Sequence, residues 1–378
     1  MDKPQYQLIK TPKHWATCLK MLQDEPRLAV DLEANSMYAY RESVCLIQVS
    51  IPQQDFIIDP LAPLNLDGFG QILKDPSIEK IFHAAEYDLI LMKRQYDWEL
   101  NNLFDTMWAA RILGYHRYGL ASLLEQFFDV HLNKRYQKSN WCKRPLSSAQ
   151  LSYACFDTHF LFRLRDKLAA EIIERGRLAE ATETFADHTK VTVSDNGFDP
   201  DSFWSINGAH DLTRQQQAIL KALNIYRDQE AKKRDQPLFK IFSDRTLLEI
   251  AQRSPVNLAE LADIHGMSKG QIRRYGRQLL DVIRIAMYQK PPVLPQRTKR
   301  ASDSVIARYE KLHTWRKNRA RARGVESDVI ISRNALWELA HNNPKNDQEL
   351  NQIESIGARR CETYGMEILQ VLQDSANG

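Results

Sequence analysis

The sequence predicts an α/β front domain, a sheet flanked by helices, followed by two copies of a small all-α domain. Two observations carry that expectation. Short β-type runs cluster before residue 60 and then give way to helix-patterned sequence. That is the order of a layer in which helices pack on a central sheet. The back half repeats itself: Tyr226 to Ile283 slides onto Trp315 to Leu372 by 89 positions without a gap. More than a dozen identities at that one offset, among them Arg227/Arg316, Pro255/Pro344, Tyr275/Tyr364 and Gly276/Gly365, mark one helical domain present twice.

Taken in order, QYQLI, RLAVDLE, SVCLIQVSI and QDFIID read as strands, rich in β-branched and aromatic residues. Leu66 to Leu73 has helical spacing, KIFHA is a further β run, and helices dominate from Tyr87 onward. These include DTMWAARILGY, GLASLLEQFF and a long stretch from Ser148 to about Arg175. The polar, turn-rich segment 190–203 and the proline- and charge-rich segment 289–304 mark boundaries. The expected domains are therefore 1–190, 205–288 and 303–374. Within each repeat a basic helix (RDQEAKKRD or RKNRARAR) precedes TLLEIAQ or ALWELAH, and the first copy adds QIRRYGR. These runs place positive charge on the surface at corresponding places.

With 378 residues, 43% apolar and 26% charged, the chain is ordinary globular protein of two or three domains. No apolar stretch is long enough to span a membrane and the N-terminus has no signal core, so a cytoplasmic protein is expected. Five scattered cysteines without a C-x-x-C suggest free thiols rather than a disulfide frame or zinc site. The net charge of +4 conceals an asymmetry: residues 1–210 carry 23 basic and 28 acidic side chains, residues 211–378 carry 29 and 20. An acidic front and a basic back fit a reaction site joined to a nucleic-acid grip, although a solvated helical surface gives the same count. No G-x-x-x-x-G-K-[ST] occurs, which excludes a fused helicase.

The front acids are unusual in placement. Asp31 and Glu33 stand two apart on a strand and so share a face, opposite Leu28, Val30 and Leu32. Two carboxylates there repel unless water or a cation satisfies them. Asp88 falls just inside the helix after KIFHA, two residues beyond Glu86, where an acid also meets the positive end of the helix dipole. Tyr153 and Asp157, at i and i+4, stack on one helix face. Singly, each reads equally as a solvated edge, a helix-start acid or an amphipathic face. Together, they can converge at one end of a sheet and hold a pair of hard divalent cations, which take oxygen ligands.

The motifs VDLEA, FHAAEYDL and YACFDTHFL, in that order, resemble the three motifs of the DEDD exonucleases with Tyr in the third, the branch that contains ribonuclease D and its nuclear-exosome relatives. LFDTMWAARIL, GLASLLEQF and KRYQKSNWCKRPLS resemble the segments between motifs two and three. The helical repeats resemble the HRDC domain. The resemblance spans nearly the whole chain and implies an RNase H-like front domain with two HRDC-like domains behind. It also implies that Asp31, Glu33, Asp88 and Asp157 bind two divalent ions, Mg²⁺ or Mn²⁺, and that Tyr153 positions the attacking water. One departure is the Ala-Asn-Ser after Glu33, where many relatives carry an aromatic residue.

The implied activity is 3′→5′ hydrolysis of RNA with release of 5′-mononucleotides, on 3′ ends such as those of transfer-RNA precursors and other small stable RNAs. The HRDC-like repeats would hold the body of the RNA. Tyr153 would orient rather than deprotonate, since a phenol titrates near 10. His83 and His159 read as structural. Tyr38, Tyr40, Tyr136 and Trp141 are aromatic candidates for stacking on a base, and equally for packing. The rival expectations are a DNA 3′ exonuclease with the same metal chemistry and a non-catalytic RNA-binding protein.

Overall fold

In a computed structural model of the chain, residues 5–193, 197–295 and 301–374 are described. Residues 194–196 and 296–300, inside the two expected boundary segments, lie outside that set. The chain divides into two compact units, one drawn from Met1–Ala34, Val44–Val193 and Lys299–Gly378, the other from Asn35–Ser43 and Ser194–Thr298.

The front of the first unit is a six-stranded mixed sheet with helices packed against it. Its elements are β1 (Tyr6–Ile9), α1 (Pro12–Gln23), β2 (Arg27–Ala34), β3 (Val44–Ile51), β4 (Gln54–Ile58), α2 (Asp67–Lys74), β5 (Glu79–Phe82), α3 (Glu86–Tyr96) and β6 (Leu103–Asp105), then α4 (Thr106–Ile112), α5 (Leu120–Phe128), α6 (Ser148–His159), α7 (Leu161–Glu174) and α8 (Leu178–His188). The strand order is β1-β4-β3-β2-β5-β6. β3 pairs antiparallel with β2 and β4, while the β1–β4, β2–β5 and β5–β6 pairs are parallel. Every residue of β3 is buried, as a central strand covered on both faces must be.

Three elements depart from the sequence expectation. α1 was not anticipated, yet its signals are local: Thr11 caps the first turn, Pro12 opens it, and Trp15, Cys18 and Leu22 turn one face inward. β6 lies within a segment expected to be helical. It is three residues long, too short to show alternation, and Asp105 ends it by accepting from the Met107 and Trp108 N–H groups that start α4. The helical stretch from Ser148 to about Arg175 is two helices, α6 and α7, broken at Phe160.

The expectation of free thiols is overturned for one pair. Cys45 on β3 and Cys142 are disulfide-bonded, 97 residues apart in sequence with Cα atoms 4.9 Å apart. No spacing pattern could reveal a pair that only the fold brings together. Cys18, Cys155 and Cys361 are free. No helix among the described residues is long and apolar enough to cross a membrane.

The second unit contains α9 (Arg214–Arg234), α10 (Leu238–Ile241), α11 (Asp244–Arg253), α12 (Leu258–Ala262) and α13 (Lys269–Ala286) around a core that includes Leu223, Leu247, Ile250 and Tyr275. Tyr40, on the segment grouped with it, donates its hydroxyl to Asp228 at 2.5 Å and its backbone N–H to Asp235 at 3.0 Å. Lys240 lies over the ring of Tyr38, 4.3 Å from its centre.

The first unit closes with α14 (Asp303–Arg323), α15 (Ser327–Ile330), α16 (Arg333–Asn342), α17 (Asp347–Leu350) and α18 (Ala358–Gln373). Each begins 89 residues after its counterpart among α9 to α13, so the repeat read from sequence is a repeat of structure. The shared glycine has a shared purpose. A Cβ at Gly276 would stand 2.7 Å from Leu258, and one at Gly365 3.1 Å from Leu350, so both let the last helix approach the short one.

Within this unit the second copy is fastened to the front domain by charge. Arg323 makes two bonds of 2.7 Å to Glu180, Arg360 reaches Glu183 at 3.2 Å, and Arg111 reaches Glu326 and Asp328 at 2.7 and 2.6 Å. The expectation that the basic runs lie wholly on the surface is thereby corrected: Arg227 and Arg316 are buried, and Arg323 is spent on Glu180.

Candidate active site

β2 supplies the first two acids. Its parallel pairing with β5 covers Arg27 to Ala29, so Asp31 and Glu33 stand on the part of β2 beyond the paired stretch. There β5 has already ended and the chain turns toward α3. α6 packs across β2, β3 and β4, which brings Tyr153 and Asp157 over the sheet. Asp31, Glu33, Tyr153 and Asp157 line one cavity of about 690 Å³, along with His83. Asp88, buried in the first turn of α3, lies within electrostatic reach of Asp31, Glu33 and Asp157.

The turn that delivers Asp88 is held by a residue that the motifs did not single out. Ala84 adopts a left-handed conformation with φ of 62°, which is costly for a residue with a Cβ. Asp105, 1% exposed, accepts from the Ala84 and Ala85 N–H groups at 3.0 and 2.9 Å while also capping α4. One buried carboxylate thus fixes both the strained turn and the start of the next helix. Only its position before the helix-patterned run TMWAARI hinted at this in sequence.

Electrostatically the four acids are an unneutralised set. Among the described residues none of them forms an ion pair with a protein cation. Burial pushes the Asp31 carboxyl up to about 7 against a backbone N–H bond at Leu32 that favours the charged form. Burial and then Asp31, Asp157 and Asp88 push Glu33 up to about 10. Asp88 is raised by burial and then by Asp31, Asp105 and Asp157; Asp157 is raised by burial and then by Asp31. The Tyr153 hydroxyl is raised too, first by burial and then by Asp157, Glu33 and Asp31. Tyr153 is therefore a neutral hydroxyl, able to donate or accept a bond but not to take a proton as a phenolate.

His83 is also neutral, held down to about 4 by burial, with Asp105 opposing. Its Nδ1 is 2.9 Å from Thr106 Oγ1, and that hydroxyl donates to the Phe82 carbonyl at 2.9 Å. The ring therefore donates at Nδ1, leaving Nε2 as an acceptor. His159 is absent from the cavity wall and is paired with Asp55 at 2.6 Å, a structural contact.

The far wall is the segment before α6. Lys134, Tyr136 and Gln137 line the cavity, and Lys134 is its one lysine or arginine. Arg144 braces this segment with bonds of 2.8 and 2.7 Å to Asp59 and 2.7 Å to the Cys45 carbonyl, beside the Cys45–Cys142 bond. Trp141 is 1% exposed and stacks on Tyr153 at 6.0 Å, with Tyr136 edge-on at 6.2 Å. Of the four aromatic candidates, Trp141 is packing that aims Tyr153, and Tyr136 alone lines the cavity. Tyr38 and Tyr40 are not on its wall; their partners are Lys240 and Asp228.

The donor set is all oxygen and all acidic, which suits hard divalent cations and not soft ones. Among the described residues no three His, Cys, Asp or Glu side chains are gathered tightly enough to enclose an ion by themselves. Mutual repulsion of buried carboxylates opposes such closeness, and a bound cation relieves it. By donor chemistry, though not by closeness, the residues present fit such ions.

Residues 6–173 match the model of a 3′-5′ exonuclease domain, and residues 216–283 and 306–372 each match the HRDC domain. A ribonuclease D of Granulibacter bethesdensis is 30% identical over 74% of this chain and 71% of its own length. The exosome complex exonuclease RRP6 of Saccharomyces cerevisiae is 28% identical over 74% of this chain, which spans only 40% of that protein. Among solved structures, Escherichia coli RNase D, an exoribonuclease involved in structured RNA processing, superposes with a TM-score of 0.70 at 26% identity and covers 98% of this chain and 99% of its own. With its exonuclease sheet, its two HRDC copies and these relatives, the chain belongs to the ribonuclease D family of 3′→5′ exoribonucleases.

Proposed function

We propose that this exoribonuclease shortens RNA one nucleotide at a time, releasing 5′-mononucleotides, with Asp31, Glu33, Asp88 and Asp157 as ligands of two Mg²⁺ or Mn²⁺ ions. The observation that carries this reading is the convergence of carboxylates from β2 and α6 on one cavity, with Asp88 of α3 buried within electrostatic reach of them, and no ion pair to a protein cation for any of the four among the described residues. When bound, two such ions supply an activated water and stabilise the departing 3′-oxygen.

The chain's own residues do the rest. The acids hold and space the ions, and Asp105 keeps Asp88 in place through the Ala84 turn. Tyr153, neutral and braced by Trp141, orients the water for in-line attack. Lys134 offsets the charge of the incoming phosphodiester, and the cavity between Tyr136 and Leu120 receives the terminal nucleotide. The domain limits in this reading are 1–190 for the exonuclease and 205–288 and 303–374 for the HRDC-like domains, which hold the body of the strand. The substrates we assign are transfer-RNA precursors and other small stable RNAs. The compartment is the cytoplasm, for which the bacterial relatives speak and the Cys45–Cys142 bond does not.

The test is incubation of the protein with 5′-labelled single-stranded RNA or DNA in Mg²⁺, Mn²⁺ or EDTA. A ladder of RNA shortened from the 3′ end, absent in EDTA, is expected. A clear preference for DNA, or shortening that persists in EDTA, contradicts the reading.

A further inference from the structure

The internal repeat allows one corner of the helical domain to be compared with itself. In the first copy buried Arg227 donates from Nη1 to Asp244 at 2.6 Å and from Nη2 to Asn224 at 2.9 Å. Asp228 beside it accepts the Tyr40 hydroxyl. Both carboxylates are used within the protein. In the second copy, 89 residues on, Arg316 stands for Arg227, but Lys317 replaces Asp228, Arg333 replaces Asp244, Arg321 replaces Lys232 and His313 replaces Asn224. The two acids of the corner have become two bases.

Arg316 is left without its carboxylate. It is 8% exposed and its Nη1 donates to the Ile331 carbonyl at 3.1 Å, as Arg227 does to the Phe242 carbonyl; the Nε of each is buried without a partner, so what the second copy lacks is the carboxylate. Among the described residues no acid pairs with Arg316, Lys317, Arg321 or Arg333. These four line a surface pocket of about 560 Å³. Glu326 and Asp328 also line it, but both are turned to Arg111, which approaches them at 2.7 and 2.6 Å. Burial holds the Arg316 guanidinium below its ordinary range; Tyr309 and Asp328 oppose this, and Arg333 adds to it with a smaller effect. A buried guanidinium facing a second one is unfavourable until an anion joins them.

We infer that this pocket is a phosphate site, which takes a backbone phosphodiester of the RNA upstream of the end being cut. Arg316 and Arg333 offer the guanidinium N–H groups, and Lys317 and Arg321 the surrounding positive field. Its place fits such a strand. Tyr118 donates to Glu326 on the pocket wall at 3.2 Å, and the next two residues, Gly119 and Leu120, line the catalytic cavity. The identity of the polymer rests on the exoribonuclease reading; the anion chemistry does not.

The test uses the full-length chain. In the Asp157→Asn background, Arg333→Asp restores the pairing seen in the first copy. It should weaken binding of a long single-stranded RNA roughly 10-fold and flatten the plot of log K against log salt by about 0.7 for each phosphate that is no longer neutralised. The surface double variant Lys317→Ala/Arg321→Ala should shift both readouts the same way, which guards against a folding defect in the first variant. With Asp157 intact, Arg333→Asp should hydrolyse a dinucleotide at the parent rate, because so short a substrate does not reach the pocket. A free-phosphate arm separates the two sources of the anion: inorganic phosphate at constant ionic strength should raise the melting temperature of the parent more than that of Arg333→Asp. Unchanged RNA affinity and salt slope in both variants would overturn the inference even while metal-dependent shortening of RNA continues. If the wild-type protein shortened no RNA, the exoribonuclease reading would fail instead, and an equal phosphate response of parent and variant would then overturn this site as well.

Discussion

The catalytic cleft and the basic corner of the second helical copy are opposites built on one rule. In and beside the cleft, four carboxylates from three elements interact without an ion pair to a protein cation among the described residues; in the corner, four cations meet with the nearby carboxylates Glu326 and Asp328 turned to Arg111. Each is an electrostatic imbalance that the protein itself leaves open, and each fits a ligand of opposite sign. They differ in how they arise. The cleft needs distant segments brought together by the fold, whereas the corner comes from charge reversals on a domain whose neutralised form, with Arg227 bonded to Asp244, sits in the same chain. A repeated domain therefore carries its own control.

That contrast can be broken by substitution, and the largest effect is expected in the cleft. Asp157→Asn should lower the rate of RNA hydrolysis roughly 10³-fold, with RNA affinity measured by anisotropy nearly unchanged. A mutant that cuts at full rate would remove Asp157 from the ligand set. Tyr153→Phe should lower kcat by about 10²-fold and leave KM close to the parent value, because orientation of the water is lost and binding is not. Equal losses in kcat/KM through KM alone would make Tyr153 a binding residue.

The stability effects are smaller and run in opposite directions in the two copies. Asp244→Ala should cost about 1–3 kcal/mol in urea unfolding of the second unit, since it leaves Arg227 buried without its anion, although the exposure of Asp244 softens the loss. Arg333→Ala, at the mirrored position, should be neutral or stabilising, as it removes repulsion from Arg316. Asp88→Asn should raise the stability of metal-free protein by about 0.5–2 kcal/mol, the gain expected when a strained functional site is relaxed. Destabilisation by Arg333→Ala comparable to that by Asp244→Ala would show that the two corners are not electrostatic opposites.

Much of this was legible in the sequence where the signal is local or periodic. The alternation of RLAVDLEA set Asp31 and Glu33 on one face, the i, i+4 spacing set Tyr153 above Asp157, and the constant offset revealed both helical copies. What stayed hidden depends on interactions between remote segments. Cys45 and Cys142 are 97 residues apart, and Asp105 acts through backbone groups of a turn some twenty residues earlier, with |i−j| of 21 and 20. Lys134 and Gln137 reach the cavity from an irregular segment whose path no periodicity describes. The short strand β6 was lost because three residues cannot display a period of two.

The most direct measurement is anomalous scattering from crystals of the protein soaked in Mn²⁺ together with a 5′-mononucleotide. Two manganese peaks coordinated by Asp31, Glu33, Asp88 and Asp157, with Tyr153 facing the nucleotide phosphate, are the predicted result. A cleft that holds the nucleotide but shows no manganese peak would contradict the account.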